Sequence, residues 1–216
     1  ALILVIMFLF ADLALPHTMD GWSELEEPTT VHRAVTSHAV HADTYLTAGD
    51  PTTTHNTSAS GVLSSDQMSE SRLLLRFPMN YTSSDTIHEA SIEIQCNTTS
   101  VSSTRMVAFV TSMDRMWNGS HATWLAYDNN QLWTSMGANG SGDRGVWEPP
   151  VVLTGNGTLS LNVTSLAQSA ARSNSNYLSV IVASLGVDYT CQLSETMNAG
   201  DRPELVAAGH EADGEQ

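Results

Sequence analysis

The chain has 216 residues, 41% of them apolar, which is enough for a domain with a real core and argues against a fully disordered chain. Its 23 acidic residues face eight basic ones for a net charge of −15, and every basic residue is Arg, so phosphate backbones and anionic lipid surfaces are repelled and nucleic acid is not an expected partner. Only 14% of residues are charged, against roughly 25% in an ordinary soluble domain, so Ser, Thr and Asn cover the surface, in the manner of an extracellular protein.

The first fifteen residues, ALILVIMFLFADLAL, carry an unbroken apolar run through Leu2, Ile3, Leu4, Val5, Ile6, Met7, Phe8, Leu9 and Phe10, interrupted at Asp12 and stopped at Pro16. An ordinary transmembrane helix needs about 20 apolar residues, so the run is too short to span. Three readings remain: the h-region of a signal peptide, a strand donated to the next subunit, or a pilin-like helix in a filament core. The last two make it an assembly arm. Residues 16–30 are acidic, hold two prolines and show no sustained period, so segment 1–30 reads as apolar arm plus linker.

From residue 31 to 208 short alternating runs separated by polar turns predict one β-domain. In SRLLLRF, Leu73, Leu75 and Phe77 alternate with Arg72, Leu74 and Arg76. In SIEIQC, Ile92, Ile94 and Cys96 share a face. Between Met113 and Pro150 the pattern breaks, and Trp117, Trp124, Trp133 and Trp147 cluster among Gly, Asn and Asp. Such aromatics fold back as a lid on the core, or one or two of them form a stacking platform for sugar rings. TLSLNVT then places Leu159, Leu161 and Val163 inward, SLAQSAARS (165–173) predicts a short helix, and YLSVIVAS, apolar on both faces, predicts a central strand. The expected fold is an all-β jelly-roll sandwich with one short helix, followed by an acidic tail, 209–216.

Two cysteines, Cys96 and Cys191, are expected to form one disulfide in an oxidising compartment. Seven N-x-S/T sequons, at Asn56, Asn80, Asn97, Asn118, Asn139, Asn156 and Asn162, predict N-linked glycans and hence secretion. Catalytic patterns are poor. His38 and His41 are three apart in a predicted strand and fall on opposite faces, and neither HExxH, GxSxG, a phosphate-binding loop nor a dinucleotide fingerprint is present. Asp143 and Glu148 flank Trp147 as an acidic pair of the surface kind. No cofactor motif is present; the ion the chain suits is calcium, through Asp43 and Asp50 bordering the loop AGDPTTTHNTSASG, with no fixed ligand spacing.

The ordered pieces ADTYL (42–46), SRLLLRF (71–77), TIHEASIEI (86–94), WNGSHATW (117–124), LNVTSLAQSAARSN (161–174) and DRPELV (201–206) together resemble the DNRLRE-type domain of secreted and cell-surface proteins, over about residues 38–208. The resemblance implies a jelly-roll sandwich, found beside polysaccharide-active enzymes or serving as a carbohydrate-binding module. The chain departs from that pattern at Pro78, where the family has an acid, at Asn162, where it has Asp, and near Ser173 and Asn174, where it has Trp.

Two function classes follow. The first is a non-catalytic structural glycoprotein, a surface-fibre subunit that polymerises with copies of itself through the apolar arm. The second is a carbohydrate-binding or adhesion module that meets extracellular polysaccharide through the Trp loops.

Overall fold

The structure is a computed structural model describing residues 34–98, 105–193 and 202–210; the apolar arm, the linker and residues 211–216 lie outside the described residues. The elements in chain order are β1 (Ala34–Ala39), β2 (Ala42–Thr47), β3 (Ser60–Leu63), β4 (Ser71–Pro78), β5 (Thr86–Asn97) and β6 (Arg105–Ser112). A small hairpin, β7 (Ala126–Asp128) and β8 (Gln131–Leu132), follows. Then come β9 (Val151–Thr154), β10 (Gly157–Asn162), α1 (Thr164–Arg172), β11 (Tyr177–Gly186), β12 (Tyr189–Gln192) and β13 (Glu204–His210).

Two antiparallel sheets face each other. The first runs β1-β13-β5-β12-β3, with β10 on the opposite edge of β5, and the second runs β2-β4-β11-β6-β9. From β1 to β6 the chain changes sheet at every connection, the wrapped path of a jelly roll. The twelve-residue β5 organises the first sheet: β13 and then β12 pair along one edge, and β10 along the other.

Period-two alternation decides what is buried. Ile92, Ile94, Leu159, Leu161 and Leu205 project from the first sheet onto Leu73, Leu75, Phe77, Val180 and Val182 of the second, and all ten are buried in one cluster. Cys96 and Cys191 are directly opposed on β5 and β12, with Cα atoms 4.1 Å apart, and form the disulfide inside that cluster. Helix α1 packs on β5 through Ala167 and Ala171, whose small side chains permit close approach. Its first turn is held by Asn162 Oδ1, which accepts from the Thr164 N–H at 3.0 Å and the Thr164 hydroxyl at 2.9 Å.

Two boundaries move from their predicted places. β13 continues to His210, into the stretch read as acidic tail, because it stays paired with β5 as far as Thr86. Val163 is fully buried as predicted, but as the residue before the helix rather than as part of the strand.

Candidate functional site

The outer face of the second sheet is covered over β2, β4 and the first half of β11, while Val152 and Leu185 farther along it stay exposed. Directly paired residues share a face, so Thr44, Leu74, Ile181 and Thr111 form one row across β2, β4, β11 and β6, while Ala42, Arg76 and Ser179 form another. Onto this face fold the residues between β6 and β9. Trp117, Trp124 and Trp133 join Leu46, Leu74, Ala122, Ala138 and Ile181 in a second apolar cluster. With exposures of 1%, 8% and 5%, these three indoles are lid, not platform. Trp147 is half-buried, edge-on to Phe109 at 6.3 Å and beneath the Arg144 guanidinium at 4.4 Å. Of the two roles open to the Trp loops, the buried rings take the first.

The lid is tied down by polar groups. Trp133 Nε1 donates to Thr123 O at 2.8 Å, and Arg72, under the Trp124 ring, donates to Gly137 O at 2.6 Å. Gly137 has φ +67° and lies against Trp124, where a Cβ would stand 2.5 Å from the ring, so only glycine fits. Asp143, expected on the surface, is instead fully buried. Its carboxylate accepts from the N–H groups of Thr134 (2.9 Å), Ser135 (3.1 Å) and Gly140 (3.2 Å) and from Arg115 Nε (2.9 Å). The carboxylate nucleates the turn, which is why it is inside. Glu148, by contrast, meets the hydroxyl of Ser165 at the surface.

At one margin of the lid a cleft of about 680 Å³ opens between the 117–120 segment, the start of β2, the end of β4 and the 56–57 loop. His41, Ala42, Asp43, Asn56, Thr57, Arg76, Met116, Trp117, Asn118, Gly119, Ser120 and Asp128 line it. Arg76 is the anchor: Nη2 donates to Trp117 O at 2.6 Å, Nε donates to Ser179 Oγ at 3.1 Å, and the guanidinium lies over Trp117 at 4.6 Å and Tyr177 at 5.9 Å. Burial lowers its pKa, partly offset by Tyr177, yet a guanidinium starts so high that it remains a cation. His41 stacks on Tyr177 at 5.0 Å. Across the cleft the Asp128 carboxyl lies below its ordinary range, held by the Asn129 N–H (2.8 Å) and then by His121 Nδ1 (2.9 Å).

The cleft therefore offers amides, hydroxyls, carboxylates and an imidazole around an Arg–aromatic stack. That donor and acceptor mixture suits a polyhydroxylated ligand. Beside the cleft His121 Nδ1 meets Asp128 at 2.9 Å, and Ser120 Oγ accepts from Asn56 Nδ2 at 3.4 Å.

Of the calcium candidates, Asp43 is buried in the cleft wall, whereas Asp50 is exposed on the turn beyond β2, where its charge acts on His55. Among the described residues no group of three His, Cys, Asp or Glu converges on one point. All seven sequon asparagines are exposed, as are Asn129, Asn130, Asn174 and Asn176 outside sequons, so exposure makes the sites reachable without singling them out. His38 lies on β1, while His41 falls in the link between β1 and β2 rather than on one strand with it.

Sequence reasoning missed Arg76 and His41 as cleft residues. The one available signal was the alternation of β4, which puts Arg76 on the face that Trp117 covers. Nothing in the sequence announces that residues 56–57 and 117–120 meet. Among the described residues no helix is long and apolar enough to cross a membrane. Comparison with family models found no match, and comparison with curated proteins found none either.

Proposed function

We propose that the chain is a non-catalytic module of a secreted or cell-surface glycoprotein that binds carbohydrate in the cleft at the margin of the Trp lid. The observation that carries this reading is the lining itself, a ring of hydrogen-bonding side chains around the Arg76–Trp117–Tyr177 stack. The disulfide, the sequons and the uncharged polar surface support an extracellular setting, and the resemblance to DNRLRE-type domains points to the same class. Extracellular polysaccharide is the partner.

The test is titration with a panel of neutral and acidic polysaccharides, read through tryptophan fluorescence. A bound glycan is expected to perturb emission, and His41→Ala, which removes the ring stacked on Tyr177, is expected to weaken that binding about fivefold, or roughly 1 kcal/mol. No response across the panel refutes the reading.

A second reading is favoured by the apolar run from Leu2 to Phe10. Copies carrying −15 repel one another, so contacts between them must be apolar or hydrogen-bonded, and this run is the most apolar stretch of the sequence. In this reading the chain is a fibre subunit polymerised through that arm. Deletion of residues 1–15 then abolishes assemblies seen by electron microscopy; unchanged assemblies rule it out.

A further inference from the structure

Two of the seven sequons meet at the cleft, and they interlock. Asn56 stands on one wall and Asn118, Gly119 and Ser120 on the other. An N-linked sugar is carried on the amide nitrogen, and both amides are turned toward partners in the cleft. Asn56 Nδ2 donates to Ser120 Oγ at 3.4 Å, and Ser120 supplies the hydroxyl of the Asn118 sequon. The Asn118 side chain, whose Oδ1 accepts from the Ser120 N–H at 3.1 Å, also hydrogen-bonds to Asp128. The walls are close enough that a Cβ added at Gly119 would touch both Asn56 Cβ and the Trp117 ring, each at 3.6 Å. The other five sequons do not line the cleft.

We infer that Asn56 and Asn118 form a glycan gate, in which N-glycosylation of either fills the cleft mouth and excludes an outside carbohydrate. The inference rests on the carbohydrate reading of the cleft. A tethered sugar acts at an effective concentration of about millimolar, enough to outcompete a weakly bound polysaccharide. Modification thus divides the protein into an open form, with both asparagines bare, and a closed form that carries its own ligand.

The test compares three preparations of the full chain. One is made in a glycosylating secretory host, with site occupancy read by glycopeptide mass spectrometry. One is made in a bacterial periplasm, which forms the disulfide without N-glycosylation. The third is a pair, the Ser58→Ala/Asn118→Gln variant made in both hosts, which loses these two sequons, keeps five and retains the Asn56 side chain; because Asn118 lines the cleft, the variant is read only against itself, host against host. Polysaccharide binding is expected in the periplasmic wild type and at least tenfold weaker in the secreted wild type, whereas the variant is expected to bind equally from either host; a tenfold difference between hosts that persists in the variant overturns the gate. If the variant does not fold, secreted wild-type fractions that differ in occupancy at Asn56 and Asn118 are compared, and weakening that does not track those two sites in the glycopeptide spectra overturns the gate. Equal binding by occupied and bare chains overturns the gate while leaving the cleft reading intact, as do two empty sites in the secreted protein. Absence of binding in every preparation overturns the cleft reading, and the gate with it.

Discussion

Asp143 and His55 both give the protein a reason to weaken in acid, at different pH. Burial by itself raises the Asp143 pKa, but the N–H groups of Thr134 and Ser135, the Thr134 hydroxyl and Arg115 outweigh it and hold the carboxyl below its ordinary value. A carboxyl depressed in the folded state contributes stability that is fully present above its unfolded pKa, about 3.9, and lost as pH falls below it. His55 stacks on Tyr45 at 4.0 Å, and burial depresses its pKa against the opposing pull of Asp50. The unfolded chain takes up that proton first, so stability falls once pH drops below about 6.5. Acid unfolding followed by fluorescence is therefore expected in two windows, with His55→Gln flattening the one that opens below about pH 6.5. Asp143→Asn is expected to lower lid stability by about 3 kcal/mol at neutral pH and to remove the window below pH 4. A slope unchanged by either substitution contradicts the assignment.

The elements were largely legible. Alternation in SIEIQC and TLSLNVT identified β5 and β10 and their inward residues, because one face of each meets the core and the other meets water. The same rule hid the second apolar layer. In SRLLLRF it marks Leu74 as outward, and only the fold shows that outward here means under the lid. Leu74→Ala is accordingly expected to cost about as much as Leu73→Ala, roughly 2–5 kcal/mol in urea unfolding, whereas a solvent-facing leucine would give within about 0.5 kcal/mol of zero. The two apolar faces of YLSVIVAS carry the same information: Val180 and Val182 enter the main core and Ile181 enters the lid cluster. Arg without Lys also finds a use at this level. Arg72, Arg76, Arg115 and Arg144 each lie over an aromatic ring, a contact the flat guanidinium makes better than an ammonium.

Across the whole molecule, the disulfide links positions 95 residues apart, so it constrains nearly half the unfolded chain. The Cys96→Ala/Cys191→Ala protein is expected to lose about 4 kcal/mol, with an increased urea slope because the freed chain exposes more surface on unfolding. An unchanged slope and midpoint would count against a role in stability. The pairing itself was readable from the presence of two cysteines. So were the all-β class, the short helix and the positions of the sequons, because composition and period-two patterning are local properties of the chain. The sinking of three Trp rings into a second core, the burial of Asp143 and the meeting of Asn56 with Asn118 depend on contacts between residues far apart in sequence. Those were decided by the wrapping of the 113–147 segment over the outer face of β2, β4 and β11, where covering Leu46, Leu74 and Ile181 removes apolar surface from water and leaves the polar cleft at the margin.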